Sequence, residues 1–140
     1  MFKHHLDLEK INQFNKNTLG EHLGIEFTEL GEDFIVARMP VDKRTHQPAG
    51  LLHGGASVVL AETLGSVAGT LTLDDPTKQH IVGVEINANH IRSVRSGWVY
   101  GKATPLHVGR NTQVWEIKIT SEEGKLVCVS RITLAVLQVA

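Results

Sequence analysis

A chain of 140 residues with 14 basic and 15 acidic side chains has a net charge of −1, which excludes the strong field that gathers nucleic acid or an anionic membrane. The length fits one domain, residues 1–140, large enough to bury a single core. The single cysteine, Cys128, excludes an internal disulfide framework, no Cys/His spacing fits a metal, and MFKHHLDLEK lacks a signal peptide's apolar segment, so a cytoplasmic protein is expected.

In chain order, Asp7 is placed to cap a short helix with an apolar face of Leu8, Ile11 and Phe14, and Thr18-Leu-Gly-Glu21 reads as a capping box for another brief turn. Leu23–Glu29 and Asp33–Pro40 read as strands joined at Gly31. The polar segment Asp42–Gly50 is a loop.

Leu51–Leu73 follows, 23 residues with one ionised side chain, Glu62. Its apolar and small residues fall on every side of a helical wheel, the pattern of a buried helix. A membrane span is disfavoured by the central carboxylate and the glycines. Asp74-Asp75-Pro76 ends the helix. Four β-rich runs close the chain, at Ile81–Ile91, Trp98–Val108, Thr112–Thr120 and Leu126–Val139. Val82, Val84 and Ile86 alternate with Gly83, Glu85 and Asn87, as Val114 does with Trp115 and Glu116; that period belongs to a strand with one face buried. Short connections make neighbouring strands antiparallel. The expected architecture is α+β, with about six strands curled around one helix.

The chemistry centres on the helix. A lone carboxylate in an apolar helix is costly unless used or hydrogen-bonded, which singles out Glu62; a structural glutamate paired across a subunit contact is the alternative. The entry His53-Gly54-Gly55 offers backbone N–H groups to an anion or a developing oxyanion, and also suits a tight structural turn. Gly54 and Glu62 lie roughly 12 Å apart at 1.5 Å per residue, too far to serve one reaction within one chain. A two-fold dimer brings one protomer's helix end to the other's mid-helix. Ser66 lies one turn past Glu62, able to orient the carboxylate or to bond back to the Glu62 carbonyl. Gln47 can donate an amide N–H to a carbonyl. Between Glu85 and Glu116 the charged residues are all cationic (Arg92, Arg95, Lys102, Arg110), with His90 and His107; such a patch suits a polyanionic ligand or is a solvated face.

The order Gln47, His53-Gly54-Gly55, Glu62, Ser66 resembles the hotdog-fold acyl-CoA thioesterases, in the branch of the phenylacetate-pathway and 4-hydroxybenzoyl-CoA enzymes. Within it, MPVDKRTHQPAGLLHGGASVVLAETLGSVAG and VGVEINANHIRSVRSG look like the 1,4-dihydroxy-2-naphthoyl-CoA hydrolases of menaquinone and phylloquinone synthesis. The resemblance implies hydrolysis of an acyl-CoA thioester, aromatic such as 1,4-dihydroxy-2-naphthoyl-CoA or medium-chain within a broader acyl range. It also implies a homodimer with intersubunit sites that pairs into a tetramer, no metal, and no cofactor beyond the coenzyme A of the substrate. By resemblance Glu62 is nucleophile or general base, Gly54 and Gln47 polarise the thioester carbonyl, His53 shapes the pocket, and Ser66 comes with Glu62 from the partner. Gly55, Gly83, the run His90, Ile91, Arg92, Ser93 and the run His107, Val108, Gly109, Arg110, Asn111, Thr112 match positions that hold coenzyme A. Ala49 stands where close relatives often carry Phe, which bears on the shape of the acyl pocket. Two other functions fit the same motifs: a hotdog hydratase or dehydratase acting on a CoA or carrier-protein thioester through His53, and a non-catalytic acyl-CoA-binding module.

Overall fold

The computed structural model describes residues 1–139. Its elements are α1 (Leu8–Phe14), α2 (Leu19–His22), β1 (Glu26–Leu30), β2 (Ile35–Val41), α3 (Gly54–Leu71), β3 (Gln79–His90), β4 (Gly97–Val108), β5 (Thr112–Ser121) and β6 (Leu126–Gln138). The strands form one six-stranded sheet in the order β1-β2-β4-β5-β6-β3, with every pairing antiparallel. The curved sheet holds α3 against β2 through β6. No helix among the described residues is long and apolar enough to cross a membrane.

Small residues decide how closely α3 sits. A Cβ on Gly101 of β4 would lie 2.6 Å from a Leu64 methyl, and one on Gly65 of α3 would lie 2.6 Å from Ile132. With those positions bare, Leu60 and Leu64 bury completely. The helix C-terminus is pinned by a buried relay: Trp115 Nε1 donates to Gln113 Oε1, Gln113 Nε2 to Thr72 Oγ1, and Thr72 Oγ1 to the Gly69 carbonyl. Such buried polar groups remain affordable because each finds a partner.

Four local expectations need correction. α3 starts at the expected His53-Gly54 entry, with His53 as its N-cap, but ends at Leu71, where Thr72 takes the C-cap, short of Asp74. Its outer side is open in the single chain, and Glu62 is exposed rather than buried. Phe14 is 66% exposed, so the apolar face of α1 buries Ile11 but leaves its last turn free. Asp7 accepts from Lys10 N as expected, but the Thr18 hydroxyl donates back to the Asn15 carbonyl and makes no cap bond to α2.

The alternation in β3 also breaks. The register against β6 shifts between Gly83 and Glu85, a bulge at Val84. Before it Ile81 and Gly83 pair with the buried Val136 and Leu134; after it Ile86 pairs with the buried Ile132. An extra residue switches which parity faces the core. Val82 and Val84 are therefore exposed rather than buried with Ile86. In β5 the buried members are Gln113, Trp115, Ile117, Ile119 and Ser121, with Val114 only half-buried.

Candidate active site

The loop that carries Gln47 is fastened at both ends. Thr45 Oγ1 donates to the Pro40 carbonyl, His53 N to the Thr45 carbonyl, and Leu52 N to the Val94 carbonyl, each at 2.8 Å. Asp42 grips Arg44, whose guanidinium and backbone N–H hold the Asp42 carboxyl down at about 2. Gly50 closes the turn at φ +78°, a conformation that favours glycine. The Gln47 side-chain oxygen accepts from Ala49 N. That assignment leaves its amide NH₂ as the group offered to a ligand.

The first-turn donors of α3 have different fates. Gly55 N donates to His53 Nδ1 at 2.7 Å, and Ala56 N and Ser57 N donate to the His53 carbonyl. Gly54 N has no partner among the described residues. It is a backbone donor at the positive end of an 18-residue helix. Because His53 Nδ1 accepts, the neutral ring carries its proton on Nε2.

Gln47 and Gly54 line one cleft of about 290 Å³ together with His90, Ile91, Arg92 and Ser93. A Cβ on Gly54 would lie 2.8 Å from His90 Nε2, so the glycine is what lets the imidazole lie against the helix end. Sequence reasoning missed Leu51, Leu52, Ser57 and Val127 in the same cleft. Only Ser57 left a signal, three residues past Gly54 on the same helix face.

Glu62 does not line that cleft. Its carboxylate lies against Gly83 of β3, where a Cβ would be 2.8 Å from Oε2. Ser66 borders a separate, mostly apolar cavity between α1 and α3. The neighbouring hydroxyls of Thr63 and Thr70 bond back to the Val59 and Ser66 carbonyls, whereas the Ser66 hydroxyl makes no such bond.

Residues 107–112 form the far turn between β4 and β5. Gly109 N donates to the Thr112 carbonyl, Val136 N donates to the Asn111 carbonyl, and the His107 ring sits over Gly109. Val108, Gly109 and Arg110 line a third cavity beside Lys3, Asp74 and Gln79. The cations expected on adjacent strands are thus dispersed. Arg92 lines the Gly54 cleft, Arg110 the far cavity, and Lys102 stacks on the Phe34 ring at 4.3 Å. One chain brings Gln47, Gly54 and the 90–93 run together, and keeps Glu62 and the 107–112 turn apart from them.

The model of the thioesterase superfamily matches residues 49–128. The chain belongs to that superfamily. As a thioesterase it has the hotdog architecture, an antiparallel sheet wrapped on a central helix, and it is an enzyme of thioester hydrolysis. It is 56% identical to a protein of Cronobacter turicensis named proofreading thioesterase EntH, over 98% of both chains. The structure of a Haemophilus influenzae thioesterase superposes with a TM-score of 0.94 at 55% identity, covering 98% of this chain and 94% of that one. A Staphylococcus aureus protein, 38% identical with a TM-score of 0.83, covers 86% of this thioesterase and 99% of its own length. Two structures of that protein carry alanine in place of a glutamate and of a glutamine, separated by the same number of residues as Glu62 and Gln47. The naphthoyl-CoA hydrolase branch is a finer assignment than these likenesses make.

Proposed function

We propose that this thioesterase hydrolyses acyl-CoA esters with an aromatic acyl group, such as 1,4-dihydroxy-2-naphthoyl-CoA in quinone synthesis, to the free acid and coenzyme A. The observation that carries the reading is the unpartnered Gly54 N–H at the start of α3, beside a Gln47 amide turned to donate. Two donors converging on one cleft are what a thioester carbonyl needs as its oxygen gains charge.

Glu62 supplies the other half, as nucleophile through an anhydride or as general base on water. As general base, Glu62 takes a proton from water as it adds to the acyl carbon, and the C–S bond breaks. As nucleophile, Glu62 itself adds and the C–S bond breaks to leave an anhydride; water then cleaves the anhydride to the free acid and the Glu62 carboxylate. On both routes the thiolate leaves and takes up a proton. Since Glu62 lies outside the Gly54 cleft of its own chain, the reacting pair comes from two protomers. β3 supports this assembly: it is an edge strand of 12 residues with Val82 and Val84 exposed, next to the open side of α3. Long apolar edges favour pairing with another copy. A two-fold axis perpendicular to α3 and passing beside β3 sets the two α3 helices side by side in opposite directions, with Glu62 and Ser66 facing the partner's helix end. Two such dimers form the tetramer. Arg92, beside the cleft, and Arg110, on the far turn, hold the phosphates of coenzyme A from different protomers. No cofactor is required, and the setting is the cytoplasm.

His53 argues against the hydratase alternative. Its Nδ1 is occupied as the cap acceptor and its Nε2 carries the proton, so it is a donor rather than a base. A purely binding module has no use for Glu62 poised on a bare Gly83.

The test is thiol release from a panel of acyl-CoA esters. Glu62→Gln is expected to lower kcat by at least about a hundredfold, within the range of acid–base contributions. Arg110→Ala is expected chiefly to raise KM. Full turnover by Glu62→Gln, or by a monomeric form, would refute the intersubunit reading.

A further inference from the structure

Beside Gly54 the cleft holds a hydroxyl with no task inside the protein. Ser57 is 2% exposed and lines the same cleft as Gln47, Gly54 and His90. Elsewhere on α3 the hydroxyls of Thr63 and Thr70 bond back to the carbonyls of Val59 and Ser66, four residues earlier, as helical hydroxyls commonly do. For Ser57 that acceptor would be the His53 carbonyl. It already accepts from Ala56 N at 3.0 Å and from Ser57 N at 3.3 Å, and a carbonyl oxygen has two lone pairs. The cap that starts the helix thus denies Ser57 its back-bond. Among the described residues no fully enclosed side-chain polar atom lacks a partner; the unbonded Ser57 Oγ therefore keeps its small exposure on the cleft.

Its position favours the helix end. Ser57 stands three residues after Gly54, on the same face and roughly 4.5 Å further along the axis at 1.5 Å per residue. Helical side chains lean toward the N-terminus and cover the turn before their own Cα. The Ser57 hydroxyl is accordingly carried back toward the free Gly54 N–H, and Gly54 has no side chain of its own to stand between them. Leu52 and Val127 give the cleft apolar walls, and a hydrogen bond shielded from water is electrostatically stronger.

We infer that the Ser57 hydroxyl is a third donor to the thioester oxygen, joining the Gly54 N–H and the Gln47 amide once the acyl carbon becomes tetrahedral. The inference rests on the placement of the thioester carbonyl at Gly54. A ground-state carbonyl oxygen offers two lone pairs, which the Gly54 and Gln47 donors fill. The tetrahedral oxyanion has a third, and a hydroxyl turns its proton to meet it without moving a heavy atom. Ser57 keeps that proton throughout: the oxyanion collapses, the C–S bond breaks and the thiolate leaves. An interaction made only in the tetrahedral state raises kcat and leaves ground-state binding alone.

The experiment measures kcat and KM for thiol release from benzoyl-CoA by wild type, Ser57→Ala and Gln47→Ala, with a thermal melt of each. Ser57→Ala is expected to lower kcat at least about tenfold, less than the roughly 10²–10³ lost with a fixed oxyanion donor. Its KM should stay within about threefold of wild type, and its melting temperature should not fall, because alanine is the best helix former. Should Ser57→Ala melt early, Ser57→Cys decides, since a thiol fills the site and donates only weakly. A smaller fall in kcat, or a loss that appears in KM instead, overturns the inference. Gln47→Ala separates this from the reading beneath it. If Gln47→Ala is impaired and Ser57→Ala is not, only the third donor is refuted; if neither is impaired, the carbonyl does not sit at Gly54 and both fail.

Discussion

The two sides of α3 meet different neighbours, and the contrast separates what holds this protein together from what makes it an enzyme. On the sheet side, Leu60, Ala61, Leu64 and Ala68 are wholly buried, and Gly65 admits Ile132. On the other side, Val58 and Ser66 are half-buried and Glu62 and Thr70 are exposed. One 18-residue helix therefore has a face whose residues cannot change size and a face whose polar groups are available. Only the first resembles the interior of a folded domain.

Substitutions on the two faces should part stability from activity. The largest effect is expected from Glu62→Gln, with kcat down at least about a hundredfold and the unfolding free energy within about 0.5 kcal/mol of wild type; urea titration beside the thiol assay checks both. One turn-phase away, Leu64→Ala should do the reverse, losing about 3 kcal/mol of stability while the folded fraction keeps its kcat. Gly65→Ala sharpens this. Its Cβ would meet Ile132 Cγ2 at 2.6 Å, so overpacking should cost about 2 kcal/mol, read as a lower denaturation midpoint. Gly83→Ala crosses between the faces: its Cβ would lie 2.8 Å from Glu62 Oε2, the mobile end of a side chain. The carboxylate should swing aside, lowering kcat about tenfold through misplacement with little change in stability. Unchanged kcat would mean that Glu62 does not work from its place beside Gly83.

The smallest effect concerns pH. Asp42 is held at about 2 by its hydrogen bonds to Arg44, below its ordinary value of 3.8. A depressed carboxyl stabilises the fold above its unfolded pKa and ceases to do so as pH falls through the folded one. The contribution of this exposed pair should therefore fade between about pH 4 and pH 2, and Asp42→Asn should flatten that part of the stability profile. A profile identical to wild type over that window would show that the pair does nothing for the loop.

Much of the scaffold was legible without coordinates. The runs at 81–91, 98–108, 112–120 and 126–139 each lie within two residues of an observed strand end, because β-rich segments punctuated by glycine leave a strong pattern. Asp7 capped α1 as its position required. Pattern failed where one local choice competed with another: Thr18 spent its hydroxyl on Asn15, and the bulge at Val84 reversed the inward side of β3. The cations between Glu85 and Glu116, readable as a ligand patch or as a solvated face, do not gather at one place in the single chain: the twelve-residue β4 lies between Arg92 and Arg110 and carries its two ends far apart.

By itself, the sequence determined which segments fold as helix and strand, and that a glycine-led helix would begin with a backbone donor and carry a carboxylate two turns on. Those are local properties, set by side-chain chemistry and spacing along one stretch of chain. Only the tertiary structure decided that Gly54 N–H stays free, that Glu62 rests on Gly83, that one side of α3 remains open, and that Leu6 and Phe14 wall the cavity beside Ser66. Each depends on residues distant in sequence coming together, and a repeat of two or of 3.6 tells which residues share a face without telling what that face meets.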